Sequence, residues 1–160
     1  MQMMTTAVPT AAARGRLSRV TAALGRLPLA PIQLLFRLAI ASVFLKAGLN
    51  KIASWELTVR LFADEYRVPA LPPDLAATLA TSVELSCSVL LVVGLATRLA
   101  TLPLLGMIAV IQTFVYPGAY AEHLTWGSIL LFLLTRGGGA WSLDRALGLE
   151  PAARAAACRE

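Results

Sequence analysis

Leu34-Leu-Phe-Arg37-Leu-Ala-Ile-Ala-Ser42-Val-Phe-Leu-Lys46-Ala-Gly48-Leu-Asn50-Lys51-Ile-Ala53 decides the fold. At about 20 residues it is long enough, and apolar enough, to cross a hydrocarbon core of ~30 Å as a helix. It also carries three cations, and one charge near the bilayer centre costs at least ~2.5 to 3.5 kcal/mol. Each of those cations therefore needs either a partner or a way out of the lipid.

The rest of the chain is of the same kind. Its 160 residues are 58% hydrophobic and 14% charged, with a mean hydropathy of +0.71, whereas charged residues make up about a quarter of an average soluble domain. This is a membrane protein. Four long apolar stretches predict an all-α fold, a bundle of four transmembrane helices with a short interfacial amphipathic helix between helices 1 and 2. One membrane domain, residues 32–145, lies between a basic leader, 1–31, and a tail, 146–160.

The net charge of +5 reads as topology. Arg14, Arg16, Arg19 and Arg26 precede the first span, Arg98 sits in the turn between the second and third, and Arg136, Arg145, Arg154 and Arg159 lie at or beyond the last. The other side has Arg60, Arg67 and the border residue Lys51, set against Glu56, Asp64, Glu65, Asp74 and Glu122. Lys and Arg are held back in cytoplasmic loops, so both termini are expected in the cytoplasm and the chain in the cell inner membrane. The partner implied is the lipid bilayer and not nucleic acid.

Residues 1–31 have no acidic group and no uninterrupted apolar run that could form a signal-peptide core. Leu17, Val20, Leu24 and Leu27 recur at helical spacing, so residues 16–27 suit either a basic amphipathic surface helix or a disordered leader. Cys87 falls within the second span and Cys158 in the tail, at different levels, which predicts no disulfide.

The first span runs from near Ile32 to near Ala53. Trp55, Val59, Phe62 and Tyr66 follow at spacings of four, three and four with charges between them, the pattern of the interfacial helix over 55–67. Span two covers 75–95, entered through Pro72-Pro73-Asp74 and closed at Gly94-Leu-Ala-Thr97-Arg98. Span three covers 99–116, with Pro103 in its first turn or so. Span four runs from about His123 to Thr135, extending at most to Trp141, and is the shortest.

Helical geometry at 100° per residue sorts the internal charges. Glu84 shares a face with Ala77, Ala80, Thr81, Cys87, Ser88 and Leu91, and Lys46 shares one with Ala39, Ser42, Val43, Asn50 and Ala53. Both stripes are mostly small or polar, the character of a helix interface in lipid. Counted from the outer ends of antiparallel spans, Lys46 and Glu84 lie roughly 10 and 14 Å deep. These readings predict a buried Lys46–Glu84 pair. Arg37 and Lys51, at opposite ends of the span, can each snorkel into the headgroups, and Arg37 can alternatively meet Asp144.

His123 beside Glu122 is too few ligands for a metal, since even an open catalytic zinc needs about three, so it reads first as a polar cap. Gly137-Gly-Gly139 lacks the strand, Lys and Ser/Thr of a phosphate loop and reads as helix termination. No catalytic residue can be named. The buried polar or ligand-binding set is Arg37, Lys46, Lys51 and Glu84, with Asn50, Thr81, His123 and Asp144 behind it.

An arginine early in span one, Gly48-Leu-Asn-Lys51 at its outer end, Glu84 within span two, Gly94-Leu-Ala-Thr97-Arg98 after it and Gly137-Gly-Gly139-Ala-Trp141-Ser-Leu-Asp144 after span four resemble the DoxX family of four-helix membrane proteins. The likeness covers about residues 34–145. It puts the family lysine at Lys51, which makes Lys51 the competing partner for Glu84. It implies a membrane subunit of a quinone-linked oxidoreductase or oxidative-stress complex, with no intrinsic cofactor, quinone as the group handled and electrons carried by a soluble redox partner subunit. The competing class is a non-redox carrier or binding protein for a small hydrophobic or anionic solute, and a third reading makes the ion pair a structural clamp. Self-association as a homo-oligomer is left open.

Overall fold

The computed structural model describes residues 18–19, 21–23, 25, 28–69 and 71–149. The leader's apolar stripe, Leu17, Val20, Leu24 and Leu27, lies outside the described residues, as do Cys158 and most of the tail. Among the described residues every regular element is helical.

Helix α1 spans Leu29–Ala53, entered from extended Pro28, and at 25 residues is about 37 Å long. After a break at Ser54, α2 (Trp55–Leu61) runs into a π-helical turn, Phe62–Tyr66, which ends where the Arg67 N–H donates to the Phe62 carbonyl at 3.2 Å. Pro73 opens α3 (Pro73–Val93), and Gly94 closes it at φ +72°, donating to the Leu90 carbonyl. Helix α4 (Thr97–Val110) continues into a second π-helical turn, Ile111–Val115, closed by the Tyr116 N–H on the Ile111 carbonyl at 2.8 Å. Helix α5 covers Tyr120–Arg136, and a single turn, α6, covers Leu143–Ala146.

The four long helices close on one another, α1 chiefly against α3, α4 against α5, and α3 against α4, with α1 also touching α5. Ile40, Ala41 and Phe44 from α1 meet Cys87 and Leu91, Ala100, Leu104 and Ile108, and Leu130 and Leu133 at the centre. Helix α2 and its π turn fold back on α3, where Phe62 packs on Ala76 and Ala77.

Polarity runs opposite to that of a water-soluble protein. Gln33, Arg37, Thr81, Glu84, Ser88, Thr97, Thr101, His123 and Asp144 are buried, while Leu35, Leu49, Ile52, Val89, Leu99 and Leu131 are at least half exposed. Helices Leu29–Ala53, Pro73–Val93 and Thr97–Val115 are long and apolar enough to cross a membrane. Helix α5, at 17 residues, reaches only about 25 Å. The multi-pass membrane character expected from composition is thus present in three helices.

One local expectation needs correction. Helix α4 begins two residues earlier than the apolar run suggests, because Asp144 binds the N–H groups of Ala96 and Thr97 at 2.6 and 2.8 Å. Pro103 therefore lies in the second turn of α4, within the helix.

Candidate functional site

Two polar clusters occupy opposite ends of the bundle. The first gathers where α1 begins, α3 turns into α4, and α5 ends. Arg37 is 1% exposed, so it does not snorkel, and its guanidinium is spread over backbone carbonyls. Nε donates to Leu91 O at 2.7 Å and Nη2 to Val92 O at 2.7 Å, while Nη1 donates to Gly138 O at 3.1 Å and Trp141 O at 2.8 Å. One turn earlier, Gln33 Nε2 donates to the carbonyls of Arg136 and Gly137, both at 3.2 Å. The last carbonyls of a helix have no partner within it and carry its negative end. One face of α1 thus caps the C-termini of both α3 and α5, and Asp144 does the converse for the N-terminus of α4.

Close approach explains the glycines here. A Cβ on Gly94 would fall 2.5 Å from Arg37 Nη2, one on Gly138 would fall 2.6 Å from Thr97 Oγ1, and one on Gly139, at φ +84°, would overlap Gln33 Oε1. Ser142 Oγ ties the loop by donating to Gly139 O at 2.6 Å. The reading of the glycine run as helix termination gains a purpose. Its Gly137 carbonyl receives Gln33 and its Gly138 carbonyl receives Arg37.

The second cluster lies at the other end, in a cleft of about 510 Å³ between α1, α3, α4, α5 and the two π turns. Its polar feature is an ion pair. Lys51 Nζ stands 2.6 and 2.8 Å from the two oxygens of Glu84, whose side chain is 4% exposed against 20% for Lys51.

The expected Lys46–Glu84 pair is therefore wrong, and Lys51 takes the place. Gly48 is the reason. A Cβ on it would lie 2.8 Å from Leu85 Cδ2 and 3.2 Å from Glu84 Cβ, so Gly48 is where α1 rests on α3. Lys51 is 60° from Gly48 in projection and one turn nearer the end, whereas Lys46, two residues before Gly48, is about 200° away. Lys46, Ala39, Ser42, Asn50 and Ala53 are all exposed. The small and polar stripe on Glu84's own helix does face inward, with Ala77, Thr81, Cys87, Ser88 and Leu91 buried. Thr81 sits one turn before Glu84, and its Oγ1 has no hydrogen-bond partner among the described residues.

His123 is buried on the cleft wall and shares a 2.7 Å hydrogen bond between Nδ1 and Gln112 Oε1. Trp126 stands over it, with ring centroids 5.5 Å apart, and meets Phe44 edge-on at 6.1 Å. The two π turns meet at the cleft mouth, where Tyr66 packs edge-on to both Phe62 and Tyr116, and the Tyr116 hydroxyl donates to Glu65 Oε1 at 2.7 Å. That carboxylate beside it, with some burial, raises the Tyr116 phenol above the ordinary tyrosine range. Among the described residues no three His, Cys, Asp or Glu side chains gather as metal ligands.

The first-choice set therefore separates into three places. Arg37 holds the helix ends together, Lys51 and Glu84 line the cleft, and Lys46 faces outward. Of the others, His123 joins the cleft, Asp144 joins the Arg37 cluster and Asn50 joins the outward face. Sequence reasoning missed Gln33 and Gln112. Each is an isolated amide in an apolar run, and Gln33 stands four residues before Arg37, on the same helical face.

The DoxX family model matches residues 32–117, more than half of the chain. The chain belongs to the DoxX family. No curated protein and no solved structure matches it. The DoxX match takes in α1 from Ile32 onward, both cleft-forming π turns and the Lys51–Glu84 pair, and stops before α5 and the loop that receives Arg37.

Proposed function

We propose that this DoxX protein is the membrane subunit of a quinone-linked oxidoreductase or oxidative-stress complex, and that its cleft holds the quinone ring. One observation carries the reading, a charged pair set in the wall of a largely apolar cleft. Phe44, Val83, Met107 and Trp126 give apolar and aromatic wall, while Lys51, Glu84 and His123 supply the polar groups. A cleft of 510 Å³ is within the ~300–1,000 Å³ usual for small-molecule sites, which pair apolar walls with a few polar groups that fix orientation. Lys51 can donate to a ring oxygen while Glu84 keeps it charged, and His123 offers a second hydrogen-bonding position. When bound, quinone would serve as an acceptor of two electrons and two protons, with the electrons delivered to it by a soluble partner subunit.

In this reading α5 crosses the bilayer as a fourth span, with the membrane thinned or its glycine-rich end included. Helix α2 lies in the outer interface, and both termini stay on the cytoplasmic side of the inner membrane. The basic residues around the α3–α4 turn and beyond α5 support that orientation.

The test is quinone content. Chain purified in mild detergent from its native membrane retains quinone detectable by mass spectrometry, and Glu84→Gln loses it. The alternative, a carrier for a small hydrophobic or anionic solute, draws on the same charges in the cleft wall. It predicts solute flux into liposomes containing this chain alone, and such flux without retained quinone would replace the redox reading.

A further inference from the structure

Lys46 is unused by both clusters. It lies seven residues before the end of α1, about 10 Å from it, and is exposed on the face opposite the core. Among the described residues its ammonium has neither a hydrogen-bond nor an ion-pair partner. Ser42 and Asn50, one turn to either side, are exposed with it, and Ala39 and Ala53 extend the stripe. The rest of the outward surface of α1 is Leu29, Pro31, Leu35, Leu38, Leu49 and Ile52.

We propose that this face of α1 docks a transmembrane helix of a different protein, one that carries an Asp or Glu side chain at the depth of Lys46. An ammonium within hydrocarbon needs an acceptor, and an opposing carboxylate at the same depth is what allows it to remain charged there. Escape along the helix is opposed by geometry. The Cα–Cβ bonds of a helix tilt toward its N-terminus, so the Lys46 side chain leaves α1 toward the middle of the bilayer and away from the nearer surface. The neighbours fit a helix partner, because Ala39, Ser42 and Ala53 permit close backbone approach and Asn50 adds an amide that can bond across the interface.

A second copy of this chain lacks the required group. Glu84 is the one described carboxylate within the spans at comparable depth, and it is sealed against Lys51. Glu56, Asp64, Glu65, Asp74 and Glu122 lie at helix ends and connections of the cleft end, and Asp144 lies at the opposite end. A two-fold contact through this face would moreover set one Lys46 against the other.

The experiment uses the full chain in liposomes, donor-labelled, with acceptor-labelled single-span polyleucine helices carrying one Glu or one Gln at the depth of Lys46. Energy transfer should report at least tenfold tighter association with the Glu probe than with the Gln probe. Lys46→Leu should erase the preference and Lys46→Arg should restore it. Because Lys46 is exposed and unpaired, neither substitution endangers folding. Equal binding of the two probes by the unaltered chain, or a preference that survives Lys46→Leu, would overturn the proposal. In the native membrane, a photo-crosslinker at Ser42 should trap a protein whose span carries an acidic residue at that depth. Trapping only lipid, a second copy, or a span with no carboxylate would overturn it as well.

Discussion

The Lys51–Glu84 pair is lopsided, and the asymmetry predicts how it fails. Removing one partner of a buried ion pair usually costs about 3–5 kcal/mol because the other charge is stranded. Lys51, 20% exposed near the end of α1, can swing toward the headgroups, whereas Glu84 at 4% cannot. Lys51→Met is therefore expected to lower stability more than Glu84→Gln, a ranking that denaturation in mild detergent will check, and equal losses would contradict it. Arg37 serves four carbonyls with a planar fork that lysine cannot reproduce. At roughly 1 kcal/mol or more for each charge-assisted bond lost, Arg37→Lys should destabilise by about 2–4 kcal/mol in the same assay. Outside the spans, the Glu65 carboxylate stabilises the protonated phenol of Tyr116. Ultraviolet titration should show this tyrosine ionising above the ordinary range, and Glu65→Gln should bring it back. The sign for stability follows. The raised folded pKa makes the hydrogen bond's contribution, modest at this exposed site, fully present below about pH 10, the unfolded tyrosine value, and lost as pH climbs through the folded pKa.

At the scale of elements, the helices were legible and the face of α1 was not. Four apolar runs separated by prolines, glycines and arginines locate α1, α3, α4 and α5 to within a few residues. The face with the most small and polar residues read as the interface, yet that surface points outward. Contact is set by Gly48 and Ala41, which let α3 approach, and by Arg37 and Gln33, whose polarity is consumed by carbonyls that no single-helix projection contains. The π turns were equally hidden, since each adds one residue to a helical turn without any proline or glycine inside it. Distant capping was hidden too. Asp144 holds the start of α4 from 47 positions away, so Asp144→Ala should cost about 1–2 kcal/mol, with a fall in melting temperature as the measure. A larger loss is expected for Gly94→Ala, where a positive φ and Arg37 Nη2 at 2.5 Å both oppose a methyl group.

Taken as a whole molecule, the bundle is fastened at one end and hollow at the other. Arg37, Gln33 and Asp144 tie three helix ends to one loop, while the opposite ends of the long helices and the two π turns line the Lys51–Glu84 cleft. The all-helical fold and the three membrane-spanning helices followed from composition and periodicity, while the cleft did not, because its walls come from every long helix and from residues that look like ordinary lipid-facing apolar positions. The claim that the cleft is a quinone site is tested most directly by calorimetric titration of a short-chain quinone into the purified chain in nanodiscs. Saturable one-to-one binding is expected, weakened at least tenfold by Glu84→Gln and by Lys51→Met, with Lys46→Leu unaffected. Absence of saturable binding, or an affinity that neither Glu84→Gln nor Lys51→Met changes, would contradict it.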